Sequence, residues 1–392
     1  MAFTGKATYS AGSALPEIAE DISDIVSVVS PFETPFLDYL GDAARPARST
    51  VHEWLEDTLL PNTDQVNQTT FTPSPTAAVS ITVDNGARFK IGDQVRPGDA
   101  SEVMLVVAVA GNVIGVTRGY GGTTPTALAD NMTLHILGNA AFEGDARPAT
   151  VFTNRVRRAN YTQIFTSSVE VSGSQLAVNS VGVRDELDFQ KQERLRELLR
   201  DLESCVINGA APVSGGEGSA SVRRTMRGVI PHIQTNRFAP GVGPMPDGAG
   251  AGGDLLSEEL LNAAMRRVWE QASSRIDTIL VNGFQKRRIN SFITGSVGYT
   301  PSDSKWREMV SVYESDFGVA RVVMSRWVPA GTVVLLDSSR IEVMPLAGRA
   351  FHYKPLAASG DHEVGQLIGE YTLELRNELA HGLISGLAVT SE

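Results

Sequence analysis

The stretch from Asn160 to Gly209 constrains the fold more than any other part of the chain. Its first half, NYTQIFTSSVEVSGSQLAV, alternates apolar and polar residues as a half-buried strand does. After a break rich in Gly, Ser and Asn, apolar residues recur at three- and four-residue steps, which predicts a long amphipathic helix over Val183 to Ile207. Its apolar stripe consists of Leu195, Leu198, Leu199, Leu202, Cys205 and Val206. A strand-like arm leading into a long helix suits assembly better than catalysis.

Composition indicates a globular chain that is neither membrane-spanning nor disordered. Of the 392 residues, 42% are hydrophobic and 20% charged, and no apolar run reaches the roughly 18 residues that a membrane span needs. The N-terminus has no basic segment followed by an apolar core, so no secretory signal is visible. The lone Cys205 lies on the helix stripe, which predicts a small buried side chain and fits synthesis in a reducing cytoplasm.

Charge is spread unevenly over a chain whose formal net charge is −11. Residues 1–70 hold three Lys or Arg against eleven Asp or Glu. An arm that grips nucleic acid by releasing counterions needs clustered Lys and Arg instead. The acidic N-terminal part therefore does not have the composition of a nucleic-acid-binding arm.

Residues 75–138 have the pattern of an inserted all-β module. Short β-rich runs alternate with turn signals such as Asp84-Asn85-Gly86 and Gly119-Tyr120-Gly121-Gly122. This pattern predicts a small barrel or sandwich. Arg118 and Tyr120 are the residues that hint at recognition, so a sugar- or ligand-binding module stands beside the alternative of a purely structural insertion.

The remainder reads as α+β. Asp254 or Ser257 can cap a helix, and Ile276 to Val281 forms a short buried strand. The C-terminal run from Gly365 to Glu378 alternates cleanly, which predicts a long strand with one solvent-facing side. That side carries Glu370, Thr372, Glu374 and Arg376.

The sequence carries no catalytic or metal signature. GxxxxGK[ST], GxSxG and HExxH are all missing from it, and the six histidines lack ligand spacing. Gly248, Gly250 and Gly253 match GxGxxG, but no strand precedes them, so a flexible loop is the preferred interpretation. We therefore expect a protein that is not an enzyme and has no cofactor.

Basic residues occur in three local clusters. They are Arg155, Arg157 and Arg158; Arg223, Arg224 and Arg227; and Lys286, Arg287 and Arg288. In an acidic chain that self-associates, these clusters favour pairing with the acidic surface of another copy. Contact with nucleic acid and simple solvation remain the alternatives.

Several segments together resemble the major capsid proteins of tailed bacteriophages with the Hong Kong 97 (HK97) fold, in the branch that carries an inserted β module. They follow the family's order over nearly the whole chain. The segments are SPFETPFLDYLG at 30–41, VTRGYGGTT at 116–124, GNAAFEG at 138–144, NYTQIFTSSVEVSGSQLAV at 160–178 and GEYTLELRNELAHG at 369–382.

The resemblance implies an α+β HK97-like fold with a small all-β insertion domain. Its implied parts are an N-terminal arm (1–49), the outgoing side of an extended loop (50–74), the insertion (75–138), the returning side of the loop (139–182), a peripheral domain with a spine helix (183–224), an axial domain (225–360) and the C-terminal strand of the peripheral domain (361–392). The extended loop would reach over a neighbouring subunit. Candidate inter-subunit contacts are therefore Arg155, Arg157, Arg158, Trp54 and Glu56.

The implied function is a virion protein, assembled in the host cytoplasm, whose pentamers and hexamers form an icosahedral head around double-stranded DNA, bound without sequence specificity. Expected partners are other copies of the chain, a portal and decoration proteins. Because the arm begins almost at Met1, we also expect a separate scaffold protein rather than a cleaved one. The alternatives are an encapsulin-like nanocompartment and a carbohydrate-binding surface protein.

Overall fold

A computed structural model describes residues 34–41, 43–144, 152–177, 185–272, 275–294, 312–357 and 360–390. The chain divides into two compact units, the first comprising residues 1–54 and 157–392 and the second residues 55–156. Ile22, Ile25, Val26 and Val29, whose spacing predicts the apolar stripe of a short helix, lie outside the described residues. None of the described helices combines the length and apolarity that crossing a bilayer requires.

The described residues form a mixed set of helices and strands. The helices are α1 (Pro35–Leu40), α2 (Gly173–Ala177), α3 (Glu186–Asn208), α4 (Val229–His232), α5 (Glu258–Ala272) and α6 (Gly283–Thr294). The strands are β1 (Val51–Glu56), β2 (Thr63–Gln65), β3 (Ser80–Thr82), β4 (Asp93–Pro97), β5 (Met104–Ala110), β6 (Val113–Thr117), β7 (Thr133–Asn139), β8 (Val156–Tyr161), β9 (Gln163–Ser172), β10 (Arg237–Phe238), β11 (Thr278–Val281), β12 (Val312–Ser315), β13 (Gly318–Met324), β14 (Val333–Leu336), β15 (Ile341–Pro345), β16 (His352–Pro355), β17 (His362–Leu375) and β18 (Gly382–Ile384).

The long helix α3 confirms the predicted amphipathic stripe. The carboxylate of Asp185 caps its first turn by accepting a hydrogen bond from the backbone N–H of Asp188 at 3.1 Å. Leu198, Leu202 and Val206 are buried in the core that α3 forms with β9 and β17. This packing fixes the helix against the sheet of the first unit.

Strand β17 is the centre of a four-stranded antiparallel sheet. It pairs along one edge with β9 and along the other with β15 and β16. The strand-like arm expected before the spine helix is thus β8 and β9, and β9 pairs over its whole length with the C-terminal strand, Gln163 opposite Tyr371 and Ser172 opposite His362.

A second, mixed sheet of the first unit has the strand order β10-β18-β14-β11-β13-β12. All four residues of β11 are buried, as predicted for the run ending at Val281. The side chain of Ser257 begins helix α5 by accepting a hydrogen bond from the N–H of Leu260 at 3.1 Å. Buried residues of α5, including Leu261, Met265 and Val268, form a core with this sheet.

The second unit contains a barrel. Its strands follow the order β2-β7-β4-β5-β6-β3, and the bridge between Val66 and Val83 joins the chain after β2 to the chain after β3. The N–H of Asn67 donates to the carbonyl of Thr82 at 2.9 Å, which supports the closure. The predicted β module is confirmed as a closed sheet around its own apolar core, and it also takes in Thr63–Gln65, which we had placed with the extended loop.

Candidate assembly surfaces

The side of β17 that we expected to face solvent is buried, so that prediction was wrong. Glu370, Thr372 and Glu374 are 3%, 0% and 0% exposed. Basic and hydroxyl side chains from distant parts of the first unit cover them. Buried charge is tolerated where it is paired and hydrogen-bonded, and both carboxylates meet that condition.

Glu374 fixes the start of the ribbon formed by β1 and β8. Arg45 donates to both of its oxygens at 3.3 and 3.2 Å, and the Nε2 of His52 in β1 lies against Oε2. Burial by itself would raise the pKa of Glu374, but the hydrogen bond to His52 and the charges of His52, Arg45 and Arg376 outweigh burial and lower the pKa. The residues just before and at the start of β1 are thereby held on β17.

Glu370 holds the second strand of the ribbon at the same end, where the N–H of Thr162 donates to the carbonyl of Thr50 at 2.9 Å. Thr162, which follows β8, donates its hydroxyl to Oε1 at 2.6 Å. Arg224 donates to the same oxygen, and the Nε of Arg349 lies 2.7 Å from Oε2. The chain is therefore fastened to β17 both where it enters the ribbon and where it leaves it.

Asn160 adds backbone anchors beside these carboxylates. Its amide nitrogen donates to the carbonyls of Leu373 at 2.7 Å and Arg227 at 2.9 Å, and its oxygen accepts from the N–H of Arg227 at 2.8 Å. At 1% exposure the side chain is saturated with internal hydrogen bonds. Asn160, the first residue of the Asn-Tyr-Thr sequence, therefore has a structural role inside the subunit.

Trp54, a candidate inter-subunit contact, packs inside its own subunit. Its ring lies between those of His52 and His232, with centroid distances of 6.0 and 6.2 Å. Burial lowers the pKa of His232 to about 4, so this imidazole is neutral at physiological pH. Only 8% of the Trp54 surface remains for a neighbour.

The other candidate contacts lie on the ribbon and just before it. Arg155, Arg157 and Arg158 are exposed and Glu56 is half-buried. Arg157 lies 3.6 Å from Glu53, and both of these side chains are largely open to solvent. A pair of this kind contributes little to folding, so Arg157 remains accessible to a partner.

The remaining basic clusters are partly internal. Arg224 belongs to the Glu370 network, and Lys286 is 7% exposed with its Nζ donating to the carbonyl of Val322 at 3.2 Å. Burial, together with the nearby charge of Arg321, lowers the pKa of Lys286. Arg288 donates to the carbonyl of Leu256 at 3.2 Å. These three side chains stabilise the fold, and only part of each cluster is left for phosphate or another copy.

Arg118 has a structural role inside the barrel. Its Nε and Nη2 donate to the two oxygens of buried Glu102 at 2.6 and 2.8 Å. Burial alone would raise the pKa of Glu102, but its hydrogen bonds from Arg118, Thr126 and Gly119 lower it. Gly119 adopts φ 62°, which accounts for the glycine after Arg118. Tyr120 is 42% exposed and remains the residue of this motif that can meet a partner.

The glycines of the GxGxxG match form an ordered turn. The N–H of Gly248 donates to the carbonyl of Gly253 at 2.6 Å, and Ala249 pairs with Leu255 in both directions. No group of three or more His, Cys, Asp or Glu side chains in the described ranges is placed to hold a metal ion.

Glu203 of α3 joins α1 to the first unit, and the sequence analysis had not identified it. Its Oε2 accepts hydrogen bonds from the backbone N–H groups of Phe36 at 3.1 Å and Leu37 at 3.3 Å. Its Oε1 accepts from the hydroxyl of Ser325 at 2.7 Å. Phe36 itself has no exposed surface. The described residues of SPFETPFLDYLG are therefore anchored to the first unit.

A two-stranded ribbon fastened at one end to a central sheet, a spine helix packed on that sheet and an inserted barrel define a shell-forming capsid subunit. The family model described as SU10 major capsid protein matches residues 3–388, so the chain belongs to that family. The protein is a virion component that associates with its own copies into capsomers. No curated protein sequence is significantly similar to this chain.

Solved capsids show the same fold at low sequence identity. The capsid of the native GTA particle is 11% identical, with a TM-score of 0.52 over 98% of this chain and 100% of that one. A structure of Gordonia phage Cozz is 12% identical, with a TM-score of 0.50 over 100% of this chain and 99% of that one. The HK97-type fold expected from the sequence is confirmed.

Proposed function

We propose that the chain assembles as pentamers and hexamers into an icosahedral head that encloses double-stranded DNA. Membership of a major capsid protein family supports the proposal. The observation that carries it is that three large apolar side chains of the second unit, Leu55, Leu59 and Phe152, are 61%, 92% and 80% exposed. Large apolar side chains left open in this way mark surfaces that a partner covers.

Charge complementarity supports contacts between copies. Arg155, Arg157 and Arg158 present positive charge on a chain whose formal net charge is −11. Pairing of such a patch with an acidic neighbour steers association and fixes its register more than it adds affinity. We propose that these arginines and Glu56 contact the neighbouring subunit, and that Trp54, buried beside His232, supports the ribbon from within its own subunit.

The acidity of the chain also suits a container for DNA. Each Lys or Arg contact with a phosphate adds a salt-dependent increment of affinity, so a strongly basic wall would hold DNA too tightly for release. The proposed association with DNA is therefore weak and independent of base sequence.

We further propose that assembly takes place in the host cytoplasm and requires a separate scaffold protein, with a portal and decoration proteins joining the shell. Electron microscopy of the expressed chain, alone and with a candidate scaffold, tests this assembly. Closed shells with five-fold vertices are the expected result. A monomer that binds glycans and never forms particles would overturn the proposal.

The content of particles made during infection tests the cargo. Nuclease-protected double-stranded DNA is expected. Particles that lack DNA and hold a protein cargo would instead identify an encapsulin-like compartment.

A further inference from the structure

The carboxyl group of Glu203 occupies an unusual position for an acid. It is 0% exposed and lies where α1, α3 and the turn after β13 meet. No ion pair to it is found among the residues that the structure describes, and its three hydrogen-bond partners are neutral. A buried carboxylate without a cation is expensive, because hydrogen bonds offset only part of the lost hydration.

We propose that Glu203 is a proton-linked latch that controls how firmly α1 is docked on the first unit. The protonated acid fits the same cluster without rearrangement. Its Oε1–H can donate to the Ser325 oxygen while Oε2 still accepts from the N–H groups of Phe36 and Leu37. The ionised form must keep a full negative charge at the same buried position.

The direction of the linkage follows from the surroundings. Burial, opposed by the three hydrogen bonds and assisted by the charge of Asp38, raises the pKa of Glu203 to about 7. Release of α1 exposes the carboxyl and returns its pKa towards the ordinary 4.5. Docking of α1 therefore takes up a proton. The stabilisation of docked α1 by protonated Glu203 is fully present below the ordinary pKa of a Glu side chain and is lost as the pH rises through the raised pKa.

Other titratable groups lie on the elements that meet at Glu203. Asp38 is the charged group whose field adds to the shift of Glu203. Tyr39 accepts a hydrogen bond from Thr278 at 2.8 Å and lies under the guanidinium of Arg321, so it is fixed by partners of its own. The nearest titratable or charged residues in sequence on these elements are Asp38, Tyr39, Arg200, Asp201, Cys205, Arg321 and Arg326, and Asp38 is the one whose charge acts on Glu203.

The consequence concerns the N-terminal arm. Phe36 is buried and α1 is six residues long, so Glu203 satisfies two of the few backbone N–H groups that start the helix. Helix α1 belongs to the expected N-terminal arm (1–49). The protonation state of one side chain therefore sets how firmly the arm is attached to its own subunit.

Hydrogen–deuterium exchange of the purified full chain tests the latch. The exchange rate of the peptide covering residues 34–41 is compared between wild type and Glu203→Gln at each pH, so that the intrinsic pH dependence of exchange cancels. Glutamine keeps the hydrogen bonds and cannot ionise. We expect the ratio of the wild-type rate to the variant rate to rise by roughly tenfold or more from about pH 5 to about pH 7, and to level above that.

Two further variants make the test decisive. Glu197→Gln, on the exposed side of the same helix, should follow the wild-type profile. Asp38→Asn, at an exposed position that tolerates change, should move the wild-type transition to lower pH, and it decides the question if Glu203→Gln does not fold. Equal pH profiles in wild type and Glu203→Gln, or an unmoved transition in Asp38→Asn, would overturn the proposal. The exchange measurement does not involve particle formation, so its outcome is independent of whether the chain assembles as proposed.

Discussion

Glu374 has no exposed surface, yet it carries a charge that three basic side chains share. Its carboxylate is buried, whereas the side chains of Arg45 and Arg376 are 60% and 38% exposed, so loss of the carboxylate removes hydrogen bonds and does not leave buried arginine charges without a partner. This residue therefore matters more to the subunit than its polar character suggests.

Glu374→Gln is expected to lower the free energy of unfolding by about 1.5 kcal/mol, because Arg45 and His52 lose charge-assisted hydrogen bonds to a buried carboxylate. Urea denaturation at neutral pH measures the change. Glu363→Gln, an exposed position on the same strand, is the matched control and should stay within about 0.5 kcal/mol of wild type.

The difference in stability between wild type and Glu374→Gln should depend on pH. Since the pKa of Glu374 is lowered, its contribution is present above the usual value of 4.5 and is lost as the pH falls through the lowered pKa. Wild type and Glu374→Gln should converge in stability on acidification. A difference that stays constant down to about pH 3 would contradict this assignment.

Arg118→Ala should destabilise the barrel by about 3 kcal/mol, because it leaves the buried carboxylate of Glu102 without a cation. Thermal unfolding of the full chain measures the effect. Tyr120→Ala is the control, and loss of this exposed ring should change the thermal stability little. If Tyr120→Ala were as damaging as Arg118→Ala, the structural explanation of this motif would fail.

These buried polar residues were beyond the reach of sequence patterns. The alternation of β17 correctly placed Glu370 and Glu374 on one side of the strand. Whether that side is exposed to solvent depends on side chains from distant parts of the chain. Arg45 and His52 lie 329 and 322 positions away from Glu374 in the chain. No local rule connects residues so far apart, and the same holds for Glu203 and Phe36.

At the scale of elements, periodicity was informative. The stripe of α3 and the short runs of the barrel were predicted because each satisfies a local repeat of 3.6 or 2 residues. Boundaries were less certain: α3 extends from Glu186 to Asn208, and the barrel begins before the predicted residue 75. Strand β2 has three residues, too few for its alternation to be distinguished from loop sequence.

Leu202→Asp should prevent folding, since the side chain is 2% exposed and the core around it offers no partner for a charge. Leu198→Asp, at 4% exposure, should behave in the same way. Circular dichroism and thermal melting of the expressed chains provide the measurement. Gln192→Asp, on the exposed side of α3, should fold normally. A soluble Leu202→Asp protein with unchanged melting would refute the buried stripe.

At the scale of the whole molecule, the fold and family followed from sequence because many weak motifs kept their order. The subunit surfaces were harder to predict. Trp54 was grouped with Arg157 by position in the ribbon, yet it faces His232 while Arg157 faces solvent. Side-chain direction along a twisted two-stranded ribbon depends on what packs beneath it, and sequence alone does not contain that information.

Changing Arg157 and Arg158 to Glu should leave a folded subunit that assembles poorly, because exposed positive charge at a proposed interface becomes negative. Light scattering and electron microscopy measure assembly, and thermal melting reports folding. The same reversal at Arg194 and Arg196, on the charged face of α3, changes the net charge equally and serves as the control. Normal particles from the Arg157/Arg158 variant would show that these residues are not interface residues.

The closure of the barrel has a consequence for how the subunit could be altered. Thr63 on the incoming strand lies directly opposite His135 on the outgoing strand, so the polypeptide enters and leaves the barrel through adjacent, hydrogen-bonded strands. A domain whose two ends lie this close together is exchangeable, because the rest of the chain only needs its ends bridged. The barrel is a natural cassette, and another compact domain with similarly close termini could be displayed in its place on every copy of the shell protein.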